Sequence, residues 1–278
     1  MLGHKLCQML PPMGFDVAAT ARKPLEFYQT MAGVFSGVEL IGNVDATDPA
    51  GLEAAVRGWQ PDAVINCVGI VKQLREAKNP ILSIEINSLL PHRLALLCEK
   101  IGARLVQIST DCVFSGEKGA YSESDRSDAR DLYGRTKFLG ETSEDETAAV
   151  TLRTSIVGRE ISAAKHGLFE WFFAQRGKKT KGFTKAIYSG FTTAEMARIM
   201  ATVIRDQRDL SGLYQVASEP ISKFDLLCML RDAMGLDIQI EPDDDFVCDR
   251  SLEMDRFVQA TGYTAPSWPE MIGEFARQ

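Results

Sequence analysis

Apolar positions fall into two rhythms in the first half of the chain. Leu2, Leu6, Met9 and Leu10 recur at helical spacing and predict a helix over Leu2–Leu10, which Pro11-Pro12 ends. Phe15–Ala19 and Val38–Ile41 read as short strands. Asp48-Pro49 supplies a cap and a first-turn proline for a helix that continues over Leu52–Trp59. Asp62–Val68 is a continuous apolar run of strand length, the pattern of a strand buried on both faces. Ile81–Ile101 is a long amphipathic helix, Arg104–Ser109 a buried strand, Leu132–Glu141 a helix and Ala148–Val157 a strand. Strands alternating with helices predict a doubly wound α/β fold with a parallel sheet.

After Gly158 the rhythm changes. Leu168–Gln175 is an aromatic-rich helix, and the basic stretch Arg176–Lys181 after it reads as a solvated loop. Thr193–Asp206 and Ser222–Met234 are helices, the second with a serine cap, and Gly212–Ala217 is a strand. The acidic Glu241–Asp245 reads as a loop and Trp268–Arg277 as a terminal helix opened by Pro269. The expected division is residues 1–158 as a dinucleotide-binding domain and 159–278 as a smaller substrate lobe, with the chain exchanged between them.

Composition narrows the partners. The 278 residues are 45% hydrophobic, and 31 basic against 38 acidic side chains leave a net charge of -7 with no polybasic run. Nucleic acid is therefore not the expected partner. No apolar stretch approaches the roughly 18 to 20 residues of a membrane span, and no signal-peptide pattern opens the sequence, so a cytoplasmic protein is expected. The 6 cysteines are scattered without a C-x-x-C pair, and His4, His92 and His166 lie far apart, so no metal centre is expected.

The strongest chemical signal is Tyr133-Gly134-Arg135-Thr136-Lys137. Tyrosine and lysine at this spacing share a helix face, and a lysine cation beside a phenol pulls the phenol's pKa toward neutrality. Upstream, one predicted strand ends at Ser109-Thr110-Asp111-Cys112-Val113-Phe114 and another at Asn66-Cys67-Val68-Gly69. The carboxyl ends of strands are where doubly wound sheets place ligands.

In this order, with Asn87 between the two strand ends, these segments resemble the extended short-chain dehydrogenase/reductase superfamily. Within it the likeness is to the dTDP-4-dehydrorhamnose reductase-like, sugar-nucleotide-binding family. It continues through Leu152–Gly158, Tyr188–Thr193, Gly212–Ala217 and Arg250-Ser251-Leu252, and so covers nearly the whole chain. The resemblance implies a Rossmann-type fold and reduction of a keto group on a nucleotide-linked sugar. Tyr133 would protonate the ketone oxygen, Lys137 would hold the nicotinamide ribose and tune Tyr133, Thr110 would orient the substrate oxygen, and Asn87 would hold the active-site helix and a relay water. Asn66, Val68, Gly69, Leu2 and Gly3 would line the cofactor, Asp45 and Ala46 its adenine, and Asp111 and Arg250 the substrate. The basic run Arg176–Lys181 would lie near the substrate's diphosphate. Dehydratases of the superfamily carry a glutamate where this chain has Cys112, which disfavours dehydration.

In the loop after the second strand, Arg22 and Lys23 suit a 2′-phosphate, so NADP is expected over NAD. The family's glycine turn is represented only by Gly3, its third glycine. Its first two glycines and first strand lie outside this sequence, which implies either a short start or weakened cofactor binding. The rival expectation is a non-catalytic binding or regulatory subunit of the same fold, as the family's methionine adenosyltransferase regulatory subunit exemplifies. Dimers are common in the family, so a homodimer is a further expectation.

Overall fold

The computed structural model describes residues 1–142, 148–161 and 165–277. Helix α1 (Leu2–Met9) leads into strands β1 (Val17–Thr20) and β2 (Val38–Ile41), which pair in parallel as a sheet of their own. Helix α2 (Pro49–Trp59) starts where the Asp48 side chain accepts from the Ala50 amide, as the cap pattern predicts. Strand β3 (Ala63–Asn66), helix α3 (Pro80–Ile101), strand β4 (Arg104–Thr110), helix α4 (Leu132–Leu139) and strand β5 (Ala149–Thr154) follow. The second half adds α5 (Leu168–Phe173), β6 (Lys178–Phe183), α6 (Thr193–Arg205), β7 (Gly212–Gln215), α7 (Lys223–Met234), β8 (Ile238–Asp243) and α8 (Trp268–Ala276). Shorter strands carry no label.

The second sheet is wholly parallel, in the order β7-β5-β4-β3. Its outermost strand β7 comes from beyond residue 158, so the chain crosses back to finish the sheet begun by the first half. One apolar cluster runs through both halves, joining Leu2, Val106 and Leu152 to Phe169, Met196, Leu226 and Trp268. Strands β4 and β5 are buried almost throughout, but β3 is only half-buried along Ala63–Ile65. The expectation of burial on both faces fails there because β3 is paired on one edge alone.

Helix α3 is interrupted at Glu85–Leu89 by a π-helical turn that its amphipathic pattern does not reveal. At 22 residues it is long and apolar enough to cross a membrane by length and composition, contrary to the sequence reading, though more than half of its apolar window is buried within this fold. Leu90, Leu94, Ala95 and Cys98 pack on Leu105 of β4, while Ile81, Leu89 and Leu96 face outward.

Two expected loops are strands. The basic segment is largely β6, and the acidic segment supplies the end of β8; the two pair in parallel from Lys178↔Ile238 to Phe183↔Asp243. Opposite charges meet across them, Lys181 to Asp243 at 2.7 Å and Lys179 to Glu241 at 3.6 Å. Pro242 is tolerated because its strand has a free edge. The segment Leu25–Phe35, unassigned in the sequence reading, is 3₁₀-helical with a kink at Met31.

Glycine sets how closely α4 approaches its neighbours. A methyl group on Gly134 would strike the carbonyl oxygen of Cys112, and one on Gly140 the carbonyl oxygen of Asn87 at the π turn. Both obstacles are backbone, which cannot swing aside. Gly140→Ala is therefore expected to destabilise the fold by about 1–3 kcal/mol, read as a lower denaturant midpoint. An unchanged midpoint would show that the α4–α3 contact is slack.

Candidate active site

Tyr133 and Lys137 lie on one face of α4, which starts where the Asp131 carboxylate caps the Gly134 amide at 2.7 Å. The face is turned toward the ends of β3 and β4. Lys137 is buried and donates from Nζ to the carbonyl oxygen of Ile108 in β4 at 2.6 Å. The phenol of Tyr133 lies within electrostatic reach of Thr110, Asp111 and Cys112, just past the end of β4. Thr110 donates to Asp111 Oδ1 at 3.0 Å and accepts from the Cys112 amide at 3.1 Å. Thr110, Asp111, Tyr133 and Lys137 thus meet at the carboxyl end of the sheet.

Their electrostatics depart from expectation. Burial, with Cys112 adding to it, holds the Tyr133 phenol well above its ordinary value, and the Thr110 hydroxyl opposes this only in part. The expected fall toward neutrality does not occur, because burial of the phenol outweighs every group that would favour its ionised form. Burial pulls Lys137 itself down to about 8, against the fields of Glu141 and Cys67. Burial and then Asp111 push the Cys112 thiol up to about 12, despite Lys72 Nζ and Arg250 Nη1 at 3.8 Å. Cys112 is therefore a neutral thiol near pH 7.

Asn87 sits in the π turn and is 1% exposed. Its Oδ1 accepts from the Ile70 amide at 2.8 Å, and its Nδ2 donates to the Ile70 carbonyl at 3.0 Å and to Thr136 Oγ1 at 3.2 Å. One side chain therefore ties the loop after β3 to α4. Both of its N–H groups are spent on these bonds.

Asn66 accepts from the Val68 amide at 3.0 Å and donates to Gln107 Oε1 at 2.8 Å, shaping the turn that leaves Val68 and Gly69 exposed. Gly3, near the start of α1, abuts this strand end; a Cβ on it would lie 3.7 Å from that of Cys67. Leu2 is buried in the main core, so only its backbone remains for a ligand.

A second group forms at the ends of β1 and β2. Arg22 and Lys23 are exposed, and Arg22 lies in the field of Asp45. Asp45 accepts from the Thr47 amide at 2.9 Å and the Thr47 hydroxyl at 2.8 Å, which with Arg22 hold its carboxyl below the usual range. Ala46 packs against the second apolar cluster and lines a hollow with Leu52.

Arg250 arrives from the second half and donates from Nε to the Phe114 carbonyl at 2.8 Å and from Nη2 to the Ser115 carbonyl at 3.3 Å. It lines a hollow of about 150 Å³ with Cys112, Ser115, Arg130 and Asp131. Lys179 and Lys181 of the basic run are matched by the acidic strand β8 instead of standing free. A larger hollow of about 250 Å³ lies between α2 and α3 and includes none of the Thr110, Tyr133 or Lys137 side chains.

Sequence reading missed Lys72, Glu141 and Arg153. Glu141 is four residues beyond Lys137, a spacing that signals a shared face. Nothing local ties it to Arg153, which is its partner in the structure at 2.6 Å.

A family model, the RmlD substrate binding domain, matches residues 1–246. The dTDP-4-dehydrorhamnose reductase of Streptomyces griseus is 33% identical over 142 residues, 51% of this chain and 40% of that protein. The chain thus spans less than half the length of that relative. Spore coat polysaccharide biosynthesis protein SpsK of Bacillus subtilis is 26% identical over 247 residues, 86% of this chain and 78% of that one. The crystal structure of dTDP-4-dehydrorhamnose reductase from Bacillus anthracis in complex with NADP superposes with a TM-score of 0.74 at 18% identity, covering 94% of this chain and 99% of that one. The last likeness fixes the Rossmann-type fold.

The depressed Lys137 value has a consequence for stability. Between about 8 and the ordinary lysine value of 10.5, the unfolded chain binds the proton that the folded chain has released, so stability rises with pH across that window. Below it, the buried charge costs on the order of 3 kcal/mol. Lys137→Met removes that cost and the hydrogen bond to Ile108, worth about 1 kcal/mol. The variant is expected to be more stable than the parent at pH 7, with the gap closing toward pH 10.5 in denaturant titrations. A variant less stable at both pH values would contradict the assignment.

Proposed function

The chain belongs to the RmlD substrate binding domain family, and from that premise we propose that it reduces a keto group on a nucleotide-linked sugar, with NADPH preferred over NADH. The observation that carries this reading is the convergence of Thr110, Tyr133 and Lys137 where β4 ends against α4. Kinship with a reductase that acts on dTDP-4-dehydrorhamnose and with a spore coat polysaccharide protein supports the substrate class and a place in polysaccharide synthesis.

Residue roles follow from geometry and charge. With its pKa raised, Tyr133 keeps its proton at neutral pH, the form that can pass a proton to a carbonyl oxygen. Thr110 is placed to orient that oxygen by turning its hydroxyl away from Asp111. The Lys137 ammonium, charged at pH 7, favours negative charge developing beside it. Asn87 keeps α4 and the loop after β3 in register.

The residues present fit a dinucleotide. Exposed Val68 and Gly69 offer backbone at the end of β3, backed by Asn87 3.5 Å from where a Cβ on Gly69 would lie. Asp45 and Ala46 stand where an adenosine end would rest, and the exposed cations Arg22 and Lys23 suit a 2′-phosphate. When bound, the cofactor supplies the hydride. On the substrate side, Arg250 and Arg130 line the hollow next to Cys112 and give a diphosphate charged partners. The neutral Cys112 thiol speaks against dehydration, which needs a carboxylate there.

Tyr133→Phe is expected to abolish keto-sugar-dependent NADPH oxidation, losing at least about 10²-fold, while NADPH affinity measured by fluorescence stays near the parent's. Retained turnover would remove Tyr133 from its role, and a parent chain that binds no NADPH would overturn the enzyme reading. Separately, Arg22→Ala is expected to weaken NADPH about tenfold, the worth of one charge-assisted contact, and to leave NADH affinity unchanged. Equal losses for both cofactors would refute the 2′-phosphate assignment.

A further inference from the structure

At the far end of α4, the Glu141 carboxylate is buried between two strands. It accepts from Arg153 Nε at 2.9 Å and Nη2 at 2.6 Å, and from Ser109 Oγ at 2.5 Å. The Glu141 and Arg153 side chains are 6% and 2% exposed. Ser109 and Arg153 are register partners in β4 and β5, next to Thr110↔Thr154, so the carboxylate bridges the two central strands one residue before the site. Arg153 also lies over the Phe114 ring, 4.9 Å from its centroid, and Phe114 stacks on Tyr121 at 4.0 Å. The loop carrying Asp111 and Cys112 is thereby braced by the same guanidinium. Removing two charges from water is justified by fold alone only weakly, since an apolar pair of similar volume would serve as well or better.

Resting on the reading of this site as a reductase's, we propose that the Glu141–Arg153 pair is a positioning element for Lys137, fixing the ammonium in place and in its charged form beneath the site. The carboxylate has two cations to serve. Arg153 takes it bidentately, and Ser109 also donates to it. Ser109 follows Ile108, whose carbonyl accepts from the Lys137 ammonium, so the carboxylate fixes the stretch of β4 that holds Lys137 and acts on its charge. At the end of β3, Cys67 also acts on Lys137 and is itself near the Met1 amine, which faces Glu160. Tyr133, on the same face of α4, lies near Asp111 and Cys112 past the end of β4. Of the two groups that hold the ammonium charged against its burial, Glu141 is the stronger and the only carboxylate.

The test is to titrate Lys137 by NMR in [ε-¹³C]lysine-labelled protein without cofactor, with the resonance assigned from Lys137→Met. The parent midpoint is expected near 8. In Glu141→Gln it is expected to fall by about one pH unit, with a lower melting temperature because Arg153 is left buried and unpaired. The double variant Glu141→Gln/Arg153→Met should regain melting temperature yet keep the lowered midpoint, a shift that a merely structural brace would not produce. If Glu141→Gln does not fold, the double variant decides. A folded variant whose Lys137 titrates like the parent's would overturn the proposal. The titration needs neither NADPH nor sugar, so failure to bind NADPH would count against the reductase reading alone.

Discussion

A lysine ammonium buried at the junction of a strand and a helix is a costly placement, and much of the local architecture bears on it. Burial pulls Lys137 down to about 8. Its surroundings hold it with the carbonyl of Ile108 in β4 and with the Glu141 carboxylate just beyond the end of α4. Each demands that α4 lie close to the sheet. Gly134 and Gly140 allow that approach, and Asn87 locks it by spanning the loop after β3 and Thr136 of α4. The π turn in α3 is the deformation that aims Asn87 at both.

The same closeness determines the chemistry. Burial of the phenol, with Cys112 adding to it, holds the Tyr133 pKa high, so Tyr133 retains its proton. That is the form the proposed reduction of a carbonyl requires. Cys112 is neutral for a similar reason, since burial outweighs the two cations near its sulfur. Asp111 is the carboxylate closest to the reacting groups in sequence, and its Oδ1 already accepts from Thr110.

Elements with local causes were legible in the sequence. Asp48-Pro49, Ser222 and Pro269 each mark a helix start by a local signal, and each helix begins where that signal puts it. The tyrosine and lysine of α4 needed only helical spacing, and the strand ends only their apolar runs. What failed depended on distant partners. Strands β6 and β8 each look like a solvated loop, because Lys178–Lys181 and Glu241–Asp243 are polar throughout; their strand character arises when opposite charges some sixty residues apart pair. Arg153 reads as a charged residue in a buried strand with no stated purpose until Glu141 is brought to it. The expected drop in the Tyr133 pKa failed likewise: spacing shows that a cation is near, while how deeply the phenol is buried is a tertiary fact.

One consequence separates the two readings of the fold. A binding or regulatory subunit would need the sheet, the exposed turn at Val68–Gly69 and the cations at Arg22 and Lys23, all of which serve to hold a dinucleotide. It would gain nothing from a charged lysine buried under a tyrosine, which costs on the order of 3 kcal/mol at neutral pH. Drift would relieve that cost by a single change to a neutral side chain of similar shape, and would relieve the Glu141–Arg153 pair with it. The chain keeps Lys137, its Ile108 acceptor and the buried carboxylate together. Under the proposed reduction the lysine's charge would act on a substrate brought to the site, a use that a subunit which only binds would not have.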